Sequence, residues 1–363
     1  MKLKFPIDAK TFSRRDMMRL SAATAAGIAI SQMTGQPAFA EVEFTIASGG
    51  GSWGEGLRAA FVEQPDFAGA NGVTPSYLEL TNSQLVTRLI SEPANPPYSV
   101  ADLQEIEHVL AADAGALQGY DLDIVTNYKD IFPSAQFAPR AGLTDWCASM
   151  TLGMICLVYN TKLATAPTSW EDLWSDKYKG KIAVPDFGWV GLSWLHAINR
   201  QFGGTEENLE PGIEAVARLV KDHGAQVLTN SEQANLAFQN EEVAIMPYFN
   251  GRAFALQEQG VPVDVAYVPF SIQLRNGFII PKNSAFPDLA NRFVNNTLDG
   301  NLQLEMSRRF RYAPTNRTVE LPPDIARYAV PESALEQVAP LDFGKINAGR
   351  PAALDLWNRN VIS

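Results

Sequence analysis

"TLGMICLVYNTK", Thr151 to Lys162, is apolar at successive positions instead of alternate ones. A strand with one wet face alternates, whereas a strand covered on both faces does not. The segment therefore reads as a buried strand. A second stretch, "VPVDVAYVPFSIQLRNGFIIPKNS" (Val261 to Ser284), is also rich in strand formers. Between the two lies a unit with its own punctuation. "SWED" from Ser169 carries an N-terminal capping pattern, "KIAVPD" reads as a strand, and "WLHAINRQFGG" and "IEAVARLVKDHG" read as amphipathic helices closed by glycine. Ahead of Thr151 the chain alternates strand and helix patterns, "VEFTIAS" then "EGLRAAFVEQ", "VTPSYLEL" then "SQLVTRLISE", "YSVADLQ" then "EHVLAADAGAL". The whole reads as α/β. A middle unit bracketed by two crossings makes the first domain discontinuous. The expected lobes are residues 41–148 plus 270–363, and residues 149–269. Strands crossing near Met150–Leu152 and Val268–Phe270 form a hinge, and the cleft between lobes is where a small ligand binds.

The N-terminus reads as an address. "SRRDMMR" (Ser13 to Arg19) holds twin arginines, "LSAATAAGIAI" (Leu20 to Ile30) is a short mild apolar run, and Ala38-Phe39-Ala40 is a small-x-small cleavage site. The apolar run is well below the roughly 20 residues of a membrane span. Residues 1–40 are therefore expected to be a twin-arginine signal peptide cleaved after Ala40, which gives a periplasmic protein. The full chain has a net charge of −11, and without those forty residues 23 basic and 38 acidic residues remain. A body that acidic repels phosphate backbones, so nucleic acid is not an expected partner. Cys147 and Cys156 would meet an oxidising compartment. The spacing leaves open a disulfide across a tight reversal or two buried thiols.

"SGGGSWGEG" (Ser48 to Gly56) spells G-x-G-x-x-G through Gly49, Gly51 and Gly54, after a strand and before a helix, with Glu79 at the end of the next strand. That pattern supports an alternative function, an exported nucleotide-dependent oxidoreductase using the Gly49–Gly54 loop. An ordinary tight turn, or a loop that lets a ligand approach the backbone, explains the same glycines. His108, His196 and His223 are scattered, so no metal is expected, and no nucleophile or acid/base constellation stands out. No cofactor and no catalysis are expected.

"LGMICLVYNTK", "PTSWEDLWSDKYKGKIAVPD" (Pro167 to Asp186), "MPYFNGRAFALQEQGVPVDVAYVP" (Met246 to Pro269), "GFIIPKNS" (Gly277 to Ser284) and "YAPTN" (Tyr312 to Asn316) occur in that order. Together they resemble the periplasmic solute-binding proteins of ABC importers, in the branch that includes the spermidine/putrescine-binding proteins. The resemblance implies the two-lobed type II periplasmic binding fold. It also implies hinge closure on a small solute, delivery to an inner-membrane permease, and a monomer. Carried over position by position, it places Ser52, Trp53, Gln104, Phe249 and Tyr312 at the ligand. The acidic anchors of the polyamine binders do not carry over. Phe187-Gly188-Trp189-Val190 stands where they have two carboxylates, and Leu274-Arg275-Asn276 where they have Trp-x-Asp. The expected ligand is a small nitrogenous solute, polyamine-like or amino-acid-like. A smaller or zwitterionic one fits better, held by Phe187, Trp189 and Asn276 beside the five residues above. Ser52 is a candidate helix cap or hydroxyl donor. Arg252 and Arg275 are candidates for a ligand carboxylate.

Overall fold

The computed structural model describes residues 43–62 and 73–363. The signal-peptide reading falls on residues 1–40 and lies outside the described residues.

The chain opens with β1 (Glu43–Ser48), helix α1 (Gly51–Leu57, continued by a π turn, Arg58–Val62), β2 (Thr74–Glu79), α2 (Asn82–Ser91), β3 (Val100–Gln104), α3 (Glu105–Asp113) and short β4 (Leu117–Gln118). β1 pairs in parallel with β2 and β3. Phe44, Ile46 and Val100 are buried in one core cluster, Ala47, Ala101 and Leu103 in another, so this sheet is covered on both faces. Helix α2 starts where Thr81 and Gln84 close a capping box, Thr81 Oγ1 accepting from the Gln84 amide.

The chain then enters β5 (Thr151–Asn160), every residue of which is buried. The middle segment adds β6 (Ala183–Pro185), α4 (Leu192–Gln201), α5 (Glu210–Lys221), β7 (Gln226–Leu228), α6 (Ser231–Gln239), β8 (Ile245–Phe249), α7 (Asn250–Glu258), β9 (Val263–Ala266) and β10 (Ile272–Leu274). β8, β9 and β10 all run antiparallel to β5. The consecutive apolar side chains of "GMICLV" are therefore enclosed from every side. At about 1.5–3 kcal/mol for each fully buried large aliphatic side chain, this strand is a major anchor of the second sheet.

β11 (Asn276–Pro281) returns to the first sheet as an antiparallel neighbour of β3, giving the order β2-β1-β3-β11-β4. Arg275 is the single residue between β10 and β11. The return crossing thus falls five residues later than the expected boundary at 270, because Ile272–Leu274 pairs with Gly153–Ile155. The two crossings lie side by side. The Met150 amide donates to the Asn276 carbonyl at 3.1 Å, the Asn276 amide to Ser149 Oγ at 3.2 Å, and Thr151 Oγ1 to Asn276 Oδ1 at 3.1 Å. Phe270, just before β10, has φ +62°, a left-handed conformation that is strained for an aromatic residue.

After β11 come α8 (Pro287–Thr297), α9 (Gly300–Phe310), β12 (Ala313–Pro314, paired with Thr151–Leu152) and, following two single-turn helices, α10 (Phe343–Trp357). α10 makes contacts with both parts of the chain. Asn347 Nδ2 donates to the Ile106 carbonyl of α3 at 2.7 Å, but Trp357 packs on Phe187 and Lys345 pairs with Glu207 at 2.8 Å. Its N-terminal turns reach both parts of the chain, through Asn347 to α3 and Lys345 to Glu207, and its C-terminal end packs on the middle segment through Trp357.

Candidate functional site

A cavity of about 330 Å³ lies between the two sheets, near the low end for small-molecule sites. One wall comes from the C-terminal ends of β1 and β3 and the starts of α1 and α3. The other comes from the β8–α7 junction, the starts of α6 and α4, and the strand β5. Helix starts carry free N–H groups and the positive end of the helix dipole. α1, α3 and α7 begin here with no side-chain cap.

Seven of the eight expected site residues line this cavity: Ser52, Trp53, Gln104, Trp189, Phe249, Asn276 and Tyr312. Trp53 stacks on Phe310 with ring centroids 4.3 Å apart, and its Nε1 donates to Asp102 Oδ2 at 2.7 Å. Trp189 meets Phe249 at 5.7 Å, edge to face. Tyr312 is wedged where β5 and α7 carry glycine. A Cβ on Gly153 would lie 2.8 Å from its ring, and one on Gly251 2.6 Å. Burial pushes its phenol up to about 12, so it stays neutral. Ser52 does not cap the helix. The N-cap is Gly50, and Ser52 lies inside the first turn.

Phe187 is the correction. It is buried and packs on Trp357 with ring centroids 5.9 Å apart, away from the cavity. Asp186 caps a helical turn over Phe187–Gly191, its Oδ2 accepting from the Gly188 amide at 2.8 Å. Residues two apart on a helical turn face opposite ways, so presenting Trp189 to the cavity turns Phe187 from it.

Asn276 lines the cavity, yet its amide oxygen is held by Thr151 across the two crossings. Of the two arginines weighed, Arg275 forms a two-pronged pair with Glu105 (Nε to Oε2 2.9 Å, a second nitrogen to Oε1 2.9 Å) and lies over the Phe137 ring at 5.6 Å. Burial outweighs this arginine and pushes the Glu105 carboxyl up. Arg252 also lines the cavity but makes no hydrogen bond or ion pair with any described residue. It stands in the first turn of α7, where the helix dipole disfavours a cation.

The sequence reading missed Asp102, which also lines the cavity. It is 3% exposed, and burial pushes its carboxyl up to about 7 against the pull of Trp53 and Asn276. The signal was available: an acid inside "VADLQ", a strand otherwise apolar through Leu103, is an outlier that requires a reason.

The glycines of the Gly49–Gly54 loop have a packing role. A Cβ on Gly54 would lie 2.3 Å from the Gly49 carbonyl oxygen, and one on Gly56 2.1 Å from the Phe310 ring. Glu79 reaches the loop itself, its Oε2 3.1 Å from where a Cβ of Gly50 would lie. Gly54 thus lets α1 lie close on the loop after β1, and Gly56, outside the G-x-G-x-x-G pattern, lets it lie close on the ring that supports Trp53.

A profile of the bacterial extracellular solute-binding proteins matches residues 65–332. The chain belongs to this family. It is similar to the spermidine/putrescine-binding periplasmic protein of Escherichia coli, 24% identical over 219 residues, which are 58% of this chain and 62% of that protein. The match thus spans less than two thirds of that relative. Among solved structures, an ABC transporter protein of Clostridium perfringens superposes with TM-score 0.73 at 21% identity, covering 88% of this chain and 99% of that one. A structure described as the Atu4243-GABA receptor superposes with TM-score 0.71 at 19% identity, covering 87% and 96%. The fold is the two-lobed α/β fold of the periplasmic binding proteins, joined by two crossings, as the resemblance implied.

Proposed function

We propose that this protein is the extracytoplasmic solute-binding component of an ABC importer. It captures a small amino-acid-like nitrogenous solute, encloses it by closure of the lobes about Met150–Leu152 and the 268–276 crossing, and presents the closed form to an inner-membrane permease. No chemical change of the solute is part of this reading. It is exported with its signal removed after Ala40 and acts as a monomer.

The observation that carries the choice of solute is Arg252. A polyamine is a string of cations, and a cleft built for it would not leave an arginine in its lining without an ion-pair partner. A carboxylate supplies that charge, and an arginine fork binds it with two parallel hydrogen bonds. Trp53, Trp189, Phe249 and Tyr312 then cover the carbon chain and face the nitrogen. The name of the GABA receptor supports an amino-acid-like solute and that of the E. coli relative a polyamine. Arg252 favours the former. Closure requires only that the solute bind the closed state better than the open one.

Thermal-shift screening against polyamines, ω-amino acids, betaines and small carboxylates tests this. The expected result is stabilisation by an amino-acid-like compound and none by spermidine or putrescine. Stabilisation by polyamines alone overturns the choice of solute.

A further inference from the structure

Asp102 is a carboxylate with half of its hydrogen bonding left undone. Oδ2 accepts from Trp53 at 2.7 Å, but Oδ1 is buried and has no hydrogen-bond partner among the described residues. Asn276 is near enough to favour the ionised form without closing a bond to Oδ1. Acids are seldom buried without a partner, because the desolvation of the charge goes uncompensated. The surrounding side chains do not supply a cation. Tyr77 on β2 and Cys147 beside the sheet are both held neutral by burial, the phenol pushed up to about 12. Glu79, at the end of β2, is another acid. Arg58 lies over the Tyr77 ring at 6.0 Å. Glu105 and Arg275 satisfy each other. Arg252 and Glu232 line the cavity from the other wall, where Glu232 is an acid and Arg252 makes no ion pair with a described residue.

We propose that Asp102 is the receptor for the amino end of the solute, so that a bound zwitterion spans from Asp102 on the first wall to Arg252 on the second. This rests on the solute-binding reading above and gives the solute a direction within it. The ammonium meets the carboxylate beside the Trp53 ring and Gln104, and the carboxylate meets the guanidinium beside Phe249. Each end of the solute supplies the partner that Asp102 Oδ1 and Arg252 lack. The wall carrying Asp102 belongs to the first sheet and the wall carrying Arg252 to the second, so the bridge favours the closed form. Because burial holds the free Asp102 carboxyl near neutrality, arrival of a cation ionises it. The protonated acid and the ammonium become a carboxylate–ammonium pair and one proton leaves to solvent.

Isothermal titration of the full chain with γ-aminobutyrate, butyrate and putrescine at pH 7 tests this, run in phosphate and in Tris to read proton release. Wild type is expected to bind γ-aminobutyrate about tenfold or more tighter than butyrate, the worth of one charge-assisted contact, with net release of protons on binding. Asp102→Asn is expected to bind the two compounds alike and release none, while Glu214→Gln, on the exposed face of α5 and outside the cavity, keeps both properties. Discrimination that survives in Asp102→Asn, or that is lost in Glu214→Gln as well, overturns the assignment and leaves the solute-binding reading standing. Binding of putrescine and of neither carboxylate by wild type overturns both the assignment and the choice of an amino-acid-like solute. Should Asp102→Asn fail to fold, wild type binding butyrate as well as γ-aminobutyrate, or releasing no proton, still overturns the assignment.

Discussion

Arg275 and Arg252 both line one cleft and differ in what surrounds them. Arg275 has a carboxylate at 2.9 Å on each prong and an aromatic ring beneath it, whereas Arg252 has neither. Arg275 is also the one residue linking β10 to β11, so its pairing with Glu105 at the start of α3 fixes where the chain passes between sheets. Arg252 links nothing. The contrast separates two uses of the same side chain: a cation whose counter-charge is built in is part of the frame, and a cation whose counter-charge is missing is an invitation to a ligand. Sequence position does not distinguish them, since both lie near strand ends in segments carried over from the same family resemblance.

Breaking the frame should produce the largest effect. Arg275→Ala leaves Glu105 buried without its partner, a change expected to cost about 2–3 kcal/mol of stability in chemical unfolding, with solute affinity of the folded fraction little altered. An Arg275→Ala protein as stable as wild type would erase the distinction. Arg252→Ala should do the reverse. Its unfolding midpoint should match wild type, and its affinity for an amino-acid-like solute should fall about 10- to 100-fold by calorimetry, the usual range for losing a charged hydrogen-bond pair. Trp189→Ala combined with Phe249→Ala should weaken binding by about tenfold, from ring–cation and packing terms of ~0.5–2 kcal/mol. Unchanged affinity in that double variant would show that the aromatic wall is misplaced.

The frame was the more legible of the two in the sequence. The unbroken apolar run of β5 announced burial on both faces, and the capping box at Ser169 marked its turn. Helix α1 was read four residues short because glycine pattern suggested a loop, whereas Gly51 already begins the first turn. Phe187 and Trp189 look equivalent in the sequence because both are aromatic, and their two-residue spacing on one helical turn puts them on opposite sides. Arg252 and Arg275 could not be ranked without knowing that Glu105, 170 positions away, lies against only one of them. Asp102 was passed over because a strand pattern was read for its apolar members and not for its exception.

The smallest of these effects concerns Asp102 on the stability of the unliganded protein, and it tests whether the first wall is as unfinished as the second. The carboxyl has a usual value of 3.8 and is pushed up to about 7 in the folded chain. Below pH 4 it is protonated whether folded or unfolded. As pH rises from about 4 to about 7 the unfolded chain ionises first, so the stability of the fold falls through that window and levels off above it. Asparagine carries no such dependence. Buried His108, lowered to about 3, and Glu107, raised to about 7, add their own slopes, but identically in both proteins. The difference between Asp102→Asn and wild type should therefore rise with pH between about 4 and 7. The gain is partly offset by the weaker bond left to Trp53 Nε1, so the net advantage of the variant should be about 1 kcal/mol at pH 8. A difference that stays flat across that window would mean that Asp102 is ionised and compensated before any solute arrives, and that only the second wall is waiting for a charge.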